Sequence, residues 1–458
     1  MSLSSKGRSR AYAAAALALT ALSTACNKDK LLQVTDPDLL NVADYKTPAA
    51  ANALRYGVIS LFNSSFDGGG DAFTVITGNM SDELLSSDTF DTRLTINARK
   101  SDEINSDMEG SYRSVQRART NAEAAIDILK TTQPTPTFNR GQLYMYLGYS
   151  EVMLAEGWCS GVPLSKEDGT TTTFGDPLTT DSLFKIAVVH FDSALTLADT
   201  SKDVQYGAAI GKARALLSLK QYATAATAVA GVPQSYKLVA QHSPQSTSNG
   251  MWSATTNGNT RYRLSTLEGD PPAGGTVPNG LPFLQTPNDP RVLWAPSTRA
   301  GFSGAFTKQP NLLAPKYGRY DDGIIANGIE AKLIGIENQL QDPLNDVAVF
   351  NALNALRASG PPVVTAMPAT AMPTTHDGMI SLFFAERAYW LYLTGHRLGD
   401  LRRLVRNYHR PTESVFPTGN LTPPLSGTYG TSTSLRVPFG EKNNPKFTGC
   451  LDNDVDKP

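Results

Sequence analysis

The 458-residue sequence has little charge and few cysteines. Charged residues make up 18% of the chain, and 41 basic residues nearly balance 42 acidic ones. The formal net charge of −1 provides no sequence-wide field that would attract a polyanion, so no nucleic-acid partner is expected. Beyond the N-terminal segment, no apolar stretch approaches the ~20 residues that a membrane-spanning helix needs. These absences argue against a nucleic-acid-binding protein and a helical membrane-spanning domain.

Sequence motifs that would indicate catalysis are also missing. The five histidines show no HExxH spacing, and no CxxC pair occurs. The GGGD segment at 68–71 is not a P-loop, because no GK[ST] follows it. Asp452, Asp454 and Asp456 resemble the start of a calcium loop, but the glycine and the closing Glu are absent. We therefore expect no enzymatic activity, no catalytic residue, no metal site and no cofactor.

What is present begins with the N-terminal segment, residues 1–25. Lys6, Arg8 and Arg10 form a positive region, and an apolar run, AYAAAALALTAL, follows at 11–22. A helix over this run would span about 18 Å, whereas the hydrocarbon core of a bilayer is roughly 30 Å thick. The run is therefore too short to cross a membrane, but its length and flanks are typical of a signal peptide. Residues 1–25 are predicted to direct export.

Cys26 follows small residues, an arrangement typical of the cysteine that receives diacylglycerol in bacterial lipoproteins. Leu22 lies one position further from this cysteine than the usual lipobox has it. An ordinary secretory signal with a chance cysteine is therefore the alternative. The polar residues 27–30 suit a tether and favour lipidation of Cys26, which would make 26–46 a lipid anchor and tether.

Two cysteines, Cys159 and Cys450, remain once Cys26 carries lipid. An exported chain meets an oxidising environment, in which paired cysteines are favoured. We therefore predict a disulfide between Cys159 and Cys450. Two buried free thiols are the alternative, because the sequence does not show whether the two Cα atoms come within reach.

Helical periodicity alternates along the chain with long segments rich in Gly, Pro, Ser and Thr. The helical stretches are 47–62, 106–131, 138–158, 179–231, 324–357 and 378–409. Bulky residues alternate with alanine and glycine at 204–230, which lets antiparallel helices approach closely, as in tetratricopeptide-like pairs. A plain helical bundle is the alternative.

These patterns predict a mainly α-helical fold. We expect a single domain over 47–458, in which tetratricopeptide-like helix pairs pack against an irregular region. The helical scaffold is assigned to 47–231 and 324–409. The loop-rich region is assigned to 232–323 and 410–458, whose loops are too long for the connections of a compact bundle.

The clearest element is the stretch 378–409, where apolar residues recur every three or four positions and predict one continuous helix. Charged residues occupy the other faces of this helix, among them Glu386, Arg387, His396, Arg397, Asp400 and Arg403. His396 and Asp400 stand four residues apart, and Asp400 and Arg403 stand three apart, so each pair can meet on the helix surface. The arrangement favours a structural ion-pair network over an acid–base site.

Residues 383–404, FFAERAYWLYLTGHRLGDLRRL, resemble the C-terminal signature of the SusD/RagB nutrient-uptake lipoproteins. The E-R, G-H-R and D-L-R-R elements of that signature match Glu386-Arg387, Gly395-His396-Arg397 and Asp400-Leu401-Arg402-Arg403. Further segments are similar to the family at 139–165, 181–195, 208–225, 288–291 and 437–447. Segment 329–340 matches less well, because Asn338 stands beside the position of the family's second acid.

The resemblance implies an α-helical fold with four tetratricopeptide-like helix pairs under a loop-rich region. It implies a surface-exposed, lipid-anchored protein on the outer face of the outer membrane, and a binding protein rather than an enzyme. Such a protein binds glycans or other oligomeric nutrients and passes them to a SusC-like TonB-dependent transporter. The signature residues would then stabilise the fold rather than contact the ligand.

Candidate ligand contacts follow from the chemistry of sugars, whose C–H faces stack on aromatic rings while their hydroxyls need polar partners. Residues 250–263 place such side chains close together, and 79–88 resembles a family loop that borders the ligand site. The candidates are Asp82, Glu83, Trp252, Asn257, Asn259, Arg261, Tyr262, Trp294 and Tyr320.

Two other functions remain open at this point. An envelope lipoprotein could use its tetratricopeptide-like helices only for protein–protein interactions, as a scaffold without a small ligand. A glycan hydrolase would need two carboxylates about 5 to 10 Å apart across a cleft. Among ligands, the aromatic content does not separate polysaccharides, host glycans and peptides.

Overall fold

The structure is a computed structural model, and it describes most of the chain after residue 46. The described residues are 47–167, 171–256, 260–265, 267–272, 275–284, 289–292, 294–296, 301–302, 310–311, 318–359, 367–421 and 425–451. The predicted signal peptide, Cys26 and the tether at 26–46 lie outside the described residues, as do Asn257 and Asn259. The described residues all fall within one compact unit.

The N-terminal half is built from helices, some of which begin at a capping side chain. The helices are α1 (Pro48–Asp67), α2 (Phe73–Met80), α3 (Asp91–Asn97), α4 (Ser106–Thr132), α5 (Phe138–Gly157), α6 (Thr180–Leu197), α7 (Lys202–Ser218) and α8 (Tyr222–Val229). Asn105 caps α4, and Thr179 caps α6. Helix α1 packs on α4, and from α4 to α8 each helix packs on the next. The prediction of a mainly α-helical fold with paired helices is confirmed.

The close approach of α5, α6 and α7 depends on glycine. The ring of Phe191 on α6 is fully buried and packs edge-on against Tyr149 of α5, with ring centroids 5.1 Å apart. A Cβ atom at Gly148 of α5 would lie 2.9 Å from the Phe191 ring, and one at Gly211 of α7 would lie closer still. The alternation of bulky and small residues in the sequence therefore permits this helix spacing.

In addition to the helices, the described part of the chain contains five pairs of short antiparallel strands. They are β1 (Leu84–Ser86) with β7 (Tyr262–Leu264), β2 (Val162–Pro163) with β5 (Pro177–Leu178), β3 (Lys166–Glu167) with β4 (Thr172–Thr173), β6 (Lys237–Ala240) with β10 (Gly323–Asn327), and β8 (Ala295–Pro296) with β9 (Pro310–Asn311). A π-helical turn covers Trp252–Thr256. The predicted helical stretch 324–357 therefore begins with a strand, because its first residues pair with β6.

The C-terminal helices are α9 (Gly328–Gln339), α10 (Asp346–Ser359), α11 (His376–Trp390) and α12 (Arg397–Arg406). The prediction of one continuous helix over 378–409 is wrong. Leu393 and Gly395, between α11 and α12, have φ angles of 55° and 77°, in the left-handed region. The Oε1 atom of Glu83 accepts the N–H of Leu393 at 2.8 Å and so replaces a helical partner. The apolar periodicity did not predict this break, because the apolar residues of both helices still face the core.

The charged residues of the signature are buried rather than on a helix surface. Glu386, Arg387, His396, Arg397, Asp400 and Arg403 are each at most 5% exposed. The Asp400 carboxylate accepts hydrogen bonds from Arg387 at 2.7 Å and from Arg403 at 2.8 Å, so the expected Asp400–Arg403 pair forms. The expected His396–Asp400 pair does not form, because His396 Nε2 lies 3.0 Å from Glu330 Oε1 instead.

Partners from distant parts of the sequence complete this buried ion-pair network. Arg214 of α7 donates to both carboxylate oxygens of Glu330, at 2.8 and 2.9 Å, and Arg403 pairs with Glu337. Burial opposes ionisation of Glu330, but Arg214 and His396 hold the pKa of its carboxyl below the ordinary value. Charged pairs of this kind join α7, α9, α11 and α12.

A disulfide joins Cys159, just after α5, to Cys450 near the end of the described chain, which is the pairing that the sequence predicts. The two Cα atoms are 5.8 Å apart, within the usual range for a disulfide. Beside it, the N–H of Leu451 donates to the carbonyl of Ser160 at 2.7 Å. The last part of the described chain is therefore held against the C-terminal end of α5.

A second, smaller hydrophobic core lies beneath part of the loop-rich region. Its buried members include Val75, Leu84, Met251, Tyr262, Phe283 and Tyr392. Met251 and Phe283 belong to the loop-rich region, and the other residues named come from α2, from the β1–β7 pair and from the turn between α11 and α12, so this core joins the loops to the helices. Among the described helices, none combines the length and the hydropathy needed to cross a bilayer.

Candidate functional site

One exposed group of aromatic rings lies where the β1–β7 pair ends. Phe90 follows β1, and the N–H of Phe302 donates to the carbonyl of Thr260, just before β7, at 3.1 Å. Phe90 and Phe302 are 50% and 42% exposed. Their ring centroids are 6.3 Å apart and the ring planes differ by 20°. Two nearly parallel phenyl rings are therefore presented to solvent.

Arg261 lies against both phenyl rings, with its Cζ atom 4.0 Å from the Phe302 centroid and 4.9 Å from that of Phe90. Its Nη1 group donates to both carboxylate oxygens of Asp88 at 2.8 Å. Burial of Asp88 opposes ionisation, but the bonds from Arg261 and from the N–H of Thr89 hold the pKa of this carboxyl below its ordinary value. The charge of Arg261 is thus balanced within the protein. We call Phe90, Phe302 and Arg261 the phenyl cluster.

A second group consists of Trp252, Arg319 and Tyr320, which we call the tryptophan cluster. The Cζ atom of Arg319 lies 5.2 Å from the Trp252 ring centroid and 5.3 Å from that of Tyr320. Trp252 is half-buried, Tyr320 is 37% exposed, and Arg319 is exposed. The guanidinium is within cation–π distance of both rings.

Asn249 holds the two halves of the tryptophan cluster together. Its Oδ1 atom accepts the N–H of Trp252 at 3.0 Å, as a helix cap does. Its Nδ2 group donates to the Asp67 carboxylate at 3.0 Å and to the carbonyl of Asp321 at 3.1 Å. Its backbone N–H donates to the carbonyl of Arg319 at 2.9 Å. One buried side chain therefore fixes both the turn that carries Trp252 and the loop that carries Arg319.

Asp67, the last residue of α1, anchors this arrangement to the helical scaffold. Its carboxylate also accepts a hydrogen bond from the Thr74 hydroxyl at 2.9 Å, and His242 Nε2 lies 3.6 Å away. A Cβ atom at Gly323, where β10 begins, would collide with the Asp67 carboxylate, so this position requires glycine. The loop with Arg319 and Tyr320 is thus held through Asn249 against the end of α1.

Both clusters combine apolar ring faces with guanidinium N–H donors. The C–H face of a sugar ring packs on an aromatic ring, and its hydroxyls accept hydrogen bonds from such donors. The arrangement therefore suits a ligand with apolar faces and a polar edge, as a glycan has. Trp252, Arg261 and Tyr320 are the sequence-derived candidates that the structure places in these clusters.

The carboxylates of Asp82 and Glu83 lie elsewhere and are fully buried or nearly so. The oxygens of Asp82 accept from Arg397 at 2.5 and 2.7 Å, and one also accepts the N–H of Leu281. Glu83 binds the N–H of Leu393, and burial raises the pKa of its carboxyl to about 8. Both residues join the loop-rich region to α12 and its preceding turn, so we leave them out of the candidate site.

Two further candidates for ligand contact, Tyr262 and Trp294, belong to or pack against the second core. Tyr262 is fully buried in the second core, because its position in β7 turns it inward opposite Ser86. Trp294 is half-buried and packs against the same core. Neither belongs to the two clusters.

Sequence reasoning missed Phe90, Phe302, Arg319 and Asn249. Phe90 and Phe302 are far apart in the sequence and meet only because β1 pairs with β7. A signal existed for Arg319, since it adjoins Tyr320, which the sequence did single out. No signal existed for the three tertiary hydrogen bonds of Asn249, which join it to Asp67, Arg319 and Asp321.

Comparison with known proteins finds solved structures that share the fold of this chain. No protein-family model matches the sequence, and no curated protein matches it. Among solved structures, a SusD superfamily protein from Bacteroides vulgatus ATCC 8482 has a TM-score of 0.60 and 14% identity, over 89% of this chain and 99% of that one. The chain has the SusD-like fold. The resemblance seen in the signature at 383–404 is therefore matched by the architecture of the chain.

Two further SusD-like structures have descriptions that name a ligand. A SusD-like carbohydrate-binding protein from Bacteroides fragilis NCTC 9343 has a TM-score of 0.62 and 12% identity, over 88% of this chain and 100% of that one. A laminarin-binding SusD-like protein has a TM-score of 0.55 and 12% identity, over 89% of this chain and 100% of that one. At these identities the likeness concerns the fold.

Proposed function

We propose that this protein belongs to the SusD-like nutrient-uptake lipoproteins and binds glycans on the outer face of the outer membrane. The observation that carries the proposal is the pair of solvent-facing clusters in which an arginine lies within cation–π distance of two aromatic rings. The SusD-like fold supports it, because neighbours with the same fold are carbohydrate-binding proteins.

The clusters favour binding without catalysis. Hydrolysis of a glycosidic bond needs two carboxylates that face the same bond. At the phenyl cluster, Asp88 is engaged by Arg261 and Arg93. At the tryptophan cluster, the carboxylate of Asp321 accepts the N–H of Gly318 at 2.9 Å within its own turn. We therefore assign these carboxylates to holding the loops and propose no catalytic step.

The proposed setting includes a membrane anchor and a transporter. Lipidation of Cys26 and the tether at 26–46 would hold the folded unit at the membrane while leaving it free to move. A SusC-like TonB-dependent transporter would then import the captured glycan. Replacement of Cys26 by Ala should move the protein from the membrane fraction to the soluble fraction of the envelope, and affinity purification of the wild type should recover a large β-barrel transporter.

Isothermal titration against a panel of glycan oligosaccharides tests the proposed binding. We expect Trp252→Ala and Tyr320→Ala to weaken binding of any active glycan about tenfold or more, because each removes a stacking surface. Phe439→Ala is the matched control, since Phe439 is also an exposed ring (53%) beside a cation, Lys442. Equal affinity in all variants would exclude the tryptophan cluster as the site, and a panel without any binding would reject the proposed function.

A further inference from the structure

The two arginines of the candidate site differ in how their charge is balanced. Arg261 donates to both oxygens of the buried Asp88 carboxylate, so the phenyl cluster carries a neutralised pair. Arg319 has no carboxylate within 4 Å among the described residues, and this exposed residue has its guanidinium within cation–π distance of two aromatic rings. Within the described part of the chain, the tryptophan cluster therefore carries a positive charge that no carboxylate pairs with.

The acidic groups on the same turn do not supply the missing partner. The Asp321 carboxylate accepts the N–H of Gly318 at 2.9 Å, and its carbonyl is held by Asn249 at 3.1 Å. Asp322 follows, immediately before β10, and is exposed to water. The protein thus holds Arg319 through its carbonyl and beside two rings, and no carboxylate of the described residues pairs with it.

We propose that the tryptophan cluster selects acidic glycans, in which a carboxylate of a uronic acid residue binds Arg319 while adjacent sugar faces stack on Trp252 and Tyr320. The inference rests on the proposed glycan-binding function and names the ligand class of that site. A guanidinium presents two parallel N–H groups that match the two oxygens of a carboxylate. Because the rings interact with the guanidinium through their faces, its N–H edge stays available to the ligand.

The phenyl cluster is not expected to share this preference. A ligand carboxylate approaching Arg261 would meet the negative charge of Asp88, which already binds that guanidinium. The phenyl rings would therefore bind an uncharged sugar of the same glycan. If an acidic glycan contacts both clusters, its charge would be recognised only at the tryptophan cluster.

The test compares acidic oligosaccharides with their carboxyl-reduced forms, which have the same backbone and no charge. Oligogalacturonate, alginate and chondroitin oligosaccharides of defined length are titrated calorimetrically against the full folded chain. We expect at least one acidic form to bind about tenfold or more tightly than its reduced counterpart, and added salt to weaken only the acidic form. Arg319→Gln should abolish the difference, whereas Arg319→Lys should retain part of it.

Arg113→Gln is the matched control, because Arg113 is an exposed arginine on α4 and its loss changes the net charge equally. This control should preserve the preference for the acidic form. Equal affinity for acidic and reduced forms, or an unchanged preference in Arg319→Gln, would overturn the inference while leaving glycan binding intact. Failure of every glycan, acidic or neutral, to bind would reject both the inference and the proposed function.

Discussion

Arginine serves opposite purposes in two regions of this protein. In the buried network around α12, Arg214, Arg387, Arg397 and Arg403 are each at most 5% exposed and face carboxylates within the fold. In the tryptophan cluster, Arg319 is exposed and lies beside two rings, without a carboxylate partner in the described part of the chain. Removing a carboxylate partner should therefore reduce stability in the first region, whereas removing the arginine should reduce ligand binding in the second.

The largest effect is expected from Asp82→Ala, which would leave the Arg397 guanidinium buried without its carboxylate partner. An uncompensated buried charge costs about 3 to 5 kcal/mol, measured as the loss in free energy of unfolding in urea. Asp181→Ala is the control, because its partner Arg406 forms a pair that is largely exposed on the aspartate side (51%). That variant should lose less than about 1 kcal/mol. Similar losses in both variants would contradict the contrast between buried and exposed pairs.

The second effect concerns pH. The carboxyl of Glu156 is buried against Gly399 of α12, and burial raises its pKa to about 7 from the ordinary 4.5. Between these values the folded state holds a proton that the unfolded state has lost, so stability falls as pH rises from 4.5 to 7.

Glu156→Gln removes this titration. The wild type should lose about 3 kcal/mol relative to Glu156→Gln between pH 4.5 and pH 8, measured by urea unfolding of both proteins at each pH. All other titrating groups are common to both proteins and cancel in the difference. A constant difference across this range would show that Glu156 is ionised in the folded protein.

A smaller effect is expected from Asn249→Ser, which keeps an oxygen able to cap the Trp252 turn but removes both Nδ2 hydrogen bonds. Loss of these bonds should cost about 1 to 2 kcal/mol and should speed tryptic cleavage after Arg319, because the loop is no longer held to Asp67. Asn444→Ser is the control, since Asn444 is equally buried (2%) and its amide donates to the carbonyl of Gly175. Equal cleavage after Arg319 in both variants would contradict the positioning role of Asn249.

The smallest effect on stability is expected from Phe302→Ala. An exposed ring contributes little to folding, so the free energy of unfolding should change by about 0.5 kcal/mol or less, whereas glycan affinity should fall about tenfold. Urea unfolding and calorimetric titration of the same preparation separate the two effects. A stability loss above 2 kcal/mol would place Phe302 among the structural residues instead.

The sequence predicted the helices well where local signals agree. Apolar periodicity located α4, α5, α6 and α7, and the small residues of α7 indicated the close packing on Phe191 that the structure shows. Apolar periodicity did not predict the break between α11 and α12, because Glu83 accepts the N–H of Leu393 that a continuous helix would bond internally. A contact between residues 83 and 393 leaves no trace in local spacing.

The candidate site was predicted less completely than the fold. Trp252, Arg261 and Tyr320 were recognisable because aromatic and polar residues in a loop indicate sugar binding. Asp82 and Glu83 were included among the candidates because a carboxylate in a loop looks the same in sequence whether it meets solvent or a buried partner, and the structure buries both. Burial decides between these roles, and burial depends on what the rest of the chain brings to that position.

By itself, the sequence determined the helical character of the chain and its resemblance to a lipoprotein family, since both rest on local spacing and short motifs. Tertiary structure alone decided which charges are buried in pairs and that Arg319 is exposed beside two aromatic rings. The physical reason is that the free energy of a charge depends on its distance from water and from opposite charges. Those distances join residues as far apart as Asp82 and Arg397, and only the folded chain sets them.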